Sequence, residues 1–326
     1  MNRWSKIGQD ALWDKYANSS IEVVGDQLVS KTRSFSLFDN EVPDLFIDDK
    51  SQITNKQNKF YNEILFPNYD DIDDFGTLLE KGAMNPFTKK LDSEVPYNAK
   101  VLELGCGTGQ LSLYMSRYNR IIHGTDISVG SLMLAEDFRR KHTLHNVFFS
   151  RQNVFNMNFK ERYFDVIISN GVLHHTKSAK LGFEHLIPLL KPNGYIIIGL
   201  YHSYGRLLTK LKQKISPYVG ENMLYFDKTL RQMKSAEKKL AWQQDQFSNP
   251  HETSHTLKEI LRWFNESKID FINSIPFSYK HTNKIFEKQK RPSSGNLMLS
   301  EPLLAFNIKQ IREGGFFIVI GKKRIS

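Results

Sequence analysis

The residues best placed to do chemistry sit in a few short phrases. In VLELGCGTGQL, Glu103 precedes Gly105, Gly107 and Gly109. Glycines where a strand turns into a helix let the backbone approach a ligand and start the helix with no Cβ in the way. A dinucleotide fingerprint needs its third glycine one residue later, where Gln110 stands, so the spacing points away from NAD. HGTDIS supplies Asp126, whose carboxylate can accept two hydroxyl hydrogen bonds at once. An aspartate before Ser128 also suits a helix cap. SNGVLHHT carries His174 and His175, and GLYHSY carries Tyr201, His202 and Tyr204. Histidine can take a proton near neutral pH, which makes His174, His175 and Tyr201 the candidates for a base or an orienting group. For any single one of them, packing or a hydrogen bond to backbone is the commoner role.

His251-Glu252-Thr253-Ser254-His255 fits the zinc-protease pattern H-E-x-x-H letter for letter. That pattern binds metal only on a continuous helix, where both histidines share a face. Pro250 precedes the phrase, and Thr256 with Glu259 has the spacing of a capping box, so the helix is predicted to start just after it. A catalytic zinc also needs a third ligand, and none is evident. The expectation is therefore no metal, with Tyr204, His251 and His255 lining a substrate pocket.

Regular alternation of strand and helix must hold these phrases in place. AKVLELG, RIIHGTDI, NVFFSRQNV, YFDVIISNGV and GYIIIGLY are near-continuous apolar strands. TGQLSLYMSRY, SLMLAEDFRRKH and LGFEHLIPLL have apolar residues at helical spacing. Strands of that kind imply a parallel sheet covered on both faces, hence a doubly wound, Rossmann-like α/β fold. The rhythm breaks at 203–250 and resumes with TLKEILRWFNES and IDFINSI. It breaks again at 276–314 before the last strand, GFFIVIGKK. Both insertions follow the fifth strand and are predicted to cover one end of the sheet. In the first, Leu207, Leu208, Leu211 and Ile215 recur at helical spacing opposite Arg206, Lys210, Lys212 and Lys214; such a stripe could cap the pocket, rest on an anionic membrane or dock on the sheet as core, and its position after the fifth strand favours the cap.

Ahead of this core, residues 1–50 contain the short β-like runs IEVVG and SFSLF and then VPDLFIDD, and residues 51–96 read as a helical lid or linker. The aspartates of PNYDDIDDF suit a helix start, where they complement the dipole, or alternatively a lid over a cationic ligand.

The phrase Glu103-x-Gly105-x-Gly107-x-Gly109 resembles motif I of the class I S-adenosylmethionine-dependent methyltransferases. The resemblance continues through HGTDIS, QNVFN, NGVLHH and LKPNGYIIIGLY, in order, over Lys100–Tyr201 and again from Thr256 onward. It implies a seven-stranded, mostly parallel sheet over 97–326 and S-adenosylmethionine as cofactor. The implied binding residues are Glu103, Gly105, Cys106, Gly107 and Gly109, with Asp126 and Ile127 at the ribose. Asn153 and Val154 would lie at the adenine and Asn170 near the methionine end. Asn153 stands where many members carry aspartate, and its amide oxygen can still accept a hydrogen bond. Residues 1–50 are similar to the zinc-ribbon element that precedes some methyltransferases, but the cysteines are missing. A metal-free element serving as packing or partner surface is expected there. DQFSNPHETSHT and FINSIP look like a bacterial subgroup with large caps, whose acceptor the phrases do not reveal.

Composition narrows the classes further. With 326 residues, 40% hydrophobic and 25% charged, the chain is neither disordered nor fibrous. Its single cysteine, Cys106, allows no internal disulfide and points to a reducing, cytoplasmic setting. No apolar run approaches the roughly 20 residues of a membrane helix. Residues 1–100 carry 12 Lys/Arg against 17 Asp/Glu, whereas 201–250 carry 9 against 4 and 276–326 carry 10 against 3. Such basic segments attract anionic substrates, nucleic acid or lipid surfaces, or are simply solvated. The leading expectation is methyl transfer to a small-molecule acceptor. RNA or protein methylation through the basic insertions is the alternative, and a non-enzymatic cofactor-binding scaffold is a third reading. Peripheral membrane contact and oligomeric state stay open at this level.

Overall fold

The computed structural model describes residues 4, 6–25, 27–39, 41–63, 69, 72–207, 209–211, 213–214, 239, 249–275, 284–305 and 315–325. Most of the insertion at 203–250 therefore lies outside the described residues, as do 276–283 and 306–314.

The strands β1 (Lys100–Leu104), β2 (Ile121–Asp126), β3 (Val147–Arg151), β4 (Phe164–Asn170), β5 (Leu190–Tyr201), β6 (Ile269–Ile275) and β7 (Phe316–Lys323) form one seven-stranded sheet. Its order is β3-β2-β1-β4-β5-β7-β6. The first five strands in that order pair in parallel, and β7 runs antiparallel to both β5 and β6. This is the mostly parallel, Rossmann-like sheet that the alternation predicts. Successive residues of each strand face opposite layers. Leu102, Leu104, Ile196 and Ile198 join one core, and Val101, Val166, Ile168 and Ile197 join the other.

Helices α1 (Gln52–Glu63), α2 (Phe75–Met84) and α3 (Pro86–Glu94) precede the sheet. Asp74 caps α2 by accepting from the Thr77 N–H at 2.8 Å, so this member of the aspartate run acts as a helix start. Within the sheet domain lie α4 (Gln110–Tyr114), α5 (Val129–Lys141), α6 (Ala179–Leu186) and α7 (Leu257–Glu266), followed by α8 (Ser294–Ser300). Thr256 caps α7 through the Glu259 N–H at 3.1 Å. The H-E-x-x-H phrase accordingly runs as non-helical chain into that helix.

Between β3 and β4 the chain has only a single short helical turn at Val154–Asn156, too little to cover that part of the sheet. Residues 4–45 fill the place. Their short antiparallel strands lay Trp4, Leu12, Ile21, Leu28 and Leu45 onto the same core as Phe155, Phe159 and Ile167. Leu12 bridges Phe159, and Asp44 bridges Arg151 on the outer edge of β3, which leaves that edge strand covered. The buried Asp14 ties the element together, accepting from Arg33 Nε at 2.8 Å and Ser30 Oγ at 2.7 Å. The Arg33 guanidinium holds its carboxyl down at about 2 against the pull of burial.

The second insertion does not simply cap the pocket end. Its described part runs along the free edge of β6, where Gln289 N–H donates to the Ile272 carbonyl at 2.7 Å and Asn273 Nδ2 to the Ile285 carbonyl at 3.3 Å. An open sheet edge exposes unpaired backbone groups, and this segment satisfies some of them.

His123 on β2 is fully buried among Trp4, Phe148, Phe159, Tyr163 and Phe164, with neither ring nitrogen hydrogen-bonded. Burial, helped by Lys100, pushes its pKa down to about 3. The folded chain keeps this ring neutral while the unfolded chain protonates it near about 6.5. The stability it contributes is whole above that pH and drains by up to about 1.4 kcal/mol per pH unit below it, as the unfolded state binds the extra proton. His123→Phe should flatten the stability curve between pH 6.5 and 4. Urea melts at pH 7 and pH 5 check this, since an unchanged difference between the two would refute it.

Candidate functional site

At the carboxyl edge of β1 the glycine turn is shaped by what surrounds it. Gly105 has φ +66°, and a Cβ there would lie 2.2 Å from Val172 Cγ2, in the turn after β4. Gly109 has φ +76°, and a Cβ there would lie 2.6 Å from Phe149 Cζ. The N–H groups of Gly105 and Cys106 both donate to the Thr125 carbonyl, at 2.6 and 3.0 Å, and tie the turn to the end of β2. Asp126 completes the tie, accepting from Gly107 N–H at 2.8 Å and Ser128 N–H at 2.9 Å. Each of its oxygens keeps a second lone pair for a ligand hydroxyl. Burial raises the Asp126 pKa, and these backbone donors oppose the rise.

Glu103 lies beneath the turn, buried, with Ser112 Oγ donating to it at 2.5 Å. Burial, with the Asp126 carboxylate nearby, pushes its pKa up to about 8 against the Ser112 hydrogen bonds, and no cationic side chain among the described residues offsets it. A buried carboxyl without a cation fits a site that receives a positively charged ligand. The thiol of Cys106 is buried and pushed well up, chiefly by burial, so it is inert lining.

Of the other residues expected to bind the cofactor, Val154 is buried and Ile127 half-buried, the Ile127 carbonyl accepting from Arg151 Nε at 3.1 Å. Asn153 is also buried. Its Oδ1 accepts from Phe155 N–H at 3.1 Å and its Nδ2 donates to the Ile47 carbonyl at 3.2 Å, joining β3 to the N-terminal element. Asn170 is exposed at the end of β4, close against Gly199.

The candidates after β4 and β5 come together. His174, His175 and Tyr201 are buried, with the His174 ring centroid 4.2 Å from each of the other two. Neither nitrogen of His174 has a partner, and burial, with His175 and Arg206 nearby, drives its pKa well down. His174 is therefore a neutral group and a weak base. His175 Nδ1 lies 3.0 Å from the His251 carbonyl. A carbonyl only accepts, so the neutral His175 ring carries its proton on Nδ1 and its lone pair on Nε2.

The loop 249–255 walls this cluster, since His255 N–H donates to the Tyr201 carbonyl at 2.8 Å and Thr253 N–H to the His174 carbonyl at 2.8 Å. His255 itself is held by Thr253 Oγ1 at 2.9 Å, by Glu259 at 3.1 Å and edge-on by Trp263, which gives it a structural role. Tyr204 is half-buried, its ring 6.0 Å from that of His202. His202 is buried against Glu301 at 3.1 Å. Glu301 also receives the Leu257 N–H at 2.5 Å, so one end of the second insertion reaches His202 just after β5 and the start of α7.

Of the leucine stripe, Leu208 and Ile215 lie outside the described residues; Leu207 and Leu211 are exposed, at 49% and 55%, rather than turned onto a pocket, while Arg206 is fully buried. Arg206 Nε donates to Glu252 Oε1 at 2.9 Å and its guanidinium lies 3.6 Å from the centre of the Tyr201 ring. Arg206 faces inward because a carboxylate and an aromatic face await it there, whereas Lys214 is exposed.

Several site residues carry no signal in the sequence. Helix α1 crosses the carboxyl edge, with Asn62 Oδ1 accepting from Val129 N–H at 2.9 Å and the Tyr61 carbonyl from Ser128 Oγ at 2.8 Å. Gln57, 3% exposed, donates to Asn249 Oδ1 at 2.7 Å and to the His251 carbonyl at 3.0 Å. Nothing in QITNKQNKFYNE marks Gln57, because its partners lie almost 200 positions away.

Comparison with known proteins agrees with this geometry. A family model described as a methyltransferase domain matches residues 97–267. An uncharacterised protein of Synechococcus sp. is 25% identical over 198 residues, covering 53% of this chain and 48% of its own length. The hybrid PKS-NRPS synthetase apdA of Emericella nidulans is 28% identical over 187 residues, 55% of this chain and 4% of that protein. The chain thus spans half or less of these curated relatives. Among solved structures, PKMT2 of Rickettsia typhi in complex with AdoHcy shares the fold, with a TM-score of 0.53 and 14% identity over 75% of this chain and 55% of that one.

Proposed function

The chain belongs to the methyltransferase-domain family, whose members are S-adenosylmethionine-dependent enzymes, and from that premise we propose that it methylates a small-molecule acceptor held beside His175. What supports this reading is the close packing of the turn after β4 on the glycine turn, Val172 against Gly105, with His174 and His175 following in that same turn. Glycines at 105, 107 and 109 would cradle the cofactor, with Asp126 at its ribose hydroxyls and Glu103 at its cationic end. Bound there, the cofactor supplies an electrophilic methyl on a sulfonium.

The chain's own part is alignment and proton handling. Tyr201 and His174 form an apolar-faced wall that orients the acceptor and excludes water, as in-line displacement requires. His175 Nε2 takes the proton that an O–H or N–H acceptor gives up. Burial of His174, His175 and Tyr201 beneath α1 and the 249–255 loop suits a small acceptor better than a polymer. The match to PKS-NRPS synthetases is in keeping with that choice.

The test is label transfer from methyl-labelled S-adenosylmethionine to fractions of a cell extract. Label in a small-molecule fraction is the expected result. Label in RNA or protein would move the acceptor class to a polymer, and no label in any fraction would overturn the proposal.

The raised pKa of Glu103 gives a second check. A cation bound beside it favours the carboxylate, so binding releases a proton wherever the free protein holds Glu103 neutral. Affinity for S-adenosylmethionine should rise with pH up to about 8 and level off above. Calorimetry in buffers of different ionisation enthalpy reads the released proton directly, and Glu103→Gln should abolish the slope.

A further inference from the structure

Helix α1 touches both the chain after β2 and the 249–255 loop. Its C-terminal end is bonded to Ser128 and Val129 beside Asp126, and its middle is bonded to Asn249 and His251 on the acceptor side. The second contact converges on a single atom. The His251 carbonyl oxygen, with two lone pairs, receives Gln57 Nε2 at 3.0 Å and His175 Nδ1 at 3.0 Å. Asn249 fixes the arrangement from the other side, accepting from Gln57 Nε2 at 2.7 Å and donating from its Nδ2 to Tyr61 Oη at 2.9 Å. The Tyr61 ring stands edge-on to His175, with centroids 6.2 Å apart.

Both amide hydrogens of Gln57 are thereby committed, which locks the orientation of a side chain that is almost wholly buried. Burying a carboxamide is costly without such bonds. A purely structural helix clamp could use any apolar residue at this position.

We propose that Gln57 and Asn249 are positioning residues for His175. They hold the His251 carbonyl where it keeps the His175 proton on Nδ1 and its lone pair on Nε2, and they do so only when α1 lies over the cofactor cleft. Closure of the helix and readiness of the base are then one event. The inference rests on the proposed function, in which His175 Nε2 takes the acceptor proton.

The full chain and S-adenosylhomocysteine suffice to test it, with no acceptor needed. In the wild-type complex, nitrogen-15 spectra of labelled histidine should show His175 as the Nδ1–H tautomer, assigned by loss of its signals in His175→Gln. Gln57→Met keeps the side-chain length and removes both donors. It should speed S-adenosylhomocysteine release by about tenfold or more and leave the His175 ring a mixture of tautomers. Asn249→Ala should shift both readouts in the same direction, which guards against a folding defect peculiar to either variant. Gln57→Glu, which also removes the donors, should not rescue.

If the ligand binds and either donor-lacking variant retains the wild-type release rate and a pure Nδ1–H tautomer, the inference fails while the proposed function stands. If wild-type protein does not bind the ligand, the proposed function fails and this inference falls with it.

Discussion

Replacing Gly105 by valine is expected to abolish measurable cofactor binding, a loss of at least about 100-fold, or roughly 2.8 kcal/mol. The position fails a β-branched residue twice. Its φ of +66° lies in the left-handed region, and a Cβ there would meet Val172 Cγ2 at 2.2 Å. Left-handed backbone costs a branched side chain about 1–2 kcal/mol alone. The clash cannot relax locally, because Val172 begins the turn that carries His174 and His175. The displaced turn would lose the bond from His175 to the His251 carbonyl as well as the cradle. Calorimetry with S-adenosylhomocysteine measures the effect, and thermal unfolding separates it from global collapse. A variant that binds within about threefold of wild type would mean that the cofactor does not use this turn.

The second large effect concerns stability. Arg206 and Glu252 are a buried pair, with side chains 0% and 8% exposed. Removing one partner leaves the other charge buried alone, which costs about 3–5 kcal/mol in comparable pairs. Arg206→Leu should therefore destabilise by about 3 kcal/mol or more in urea melts at pH 7. The double variant Arg206→Leu with Glu252→Leu should recover much of that loss, because it removes the lone carboxylate together with its partner. Methyl transfer should stay low in both, since the guanidinium over the Tyr201 ring is gone in each. Additive losses in the double variant would show that the pair is not coupled and that Arg206 acts through other contacts.

The contrast between these predictions shows what the sequence makes legible. The glycine turn, Asp126 and the strand alternation are local. Glycine is needed at 105 because of its own φ, and the apolar runs announce buried parallel strands by composition. These features read directly from spacing. The burial of Arg206 does not read from its segment, because periodicity tells which residues share a face and not which face is buried. The deciding partner, Glu252, sits 46 positions away. Gln57 is further still from its partners, at 192 and 194 positions, and no local pattern encodes such a pairing.

Residues 4–45 show an intermediate case. Their strand-like character was visible in IEVVG and SFSLF, and packing was one of the roles expected of them. The reason for the packing was not visible, because it depends on the missing crossover helix between β3 and β4. The H-E-x-x-H phrase shows the reverse, a strong pattern whose meaning is decided by its neighbours. Thr256 starts the helix after it, so His251 contributes its backbone carbonyl to the site and His255 packs on Trp263.

Titration of the purified full chain with S-adenosylhomocysteine, and separately with NAD, decides whether the glycine turn and Asp126 hold the cofactor. One molecule of S-adenosylhomocysteine should bind per chain, weakened at least tenfold by Asp126→Ala, with no comparable binding of NAD. Tighter binding of NAD, or S-adenosylhomocysteine binding that ignores Asp126, would contradict that role.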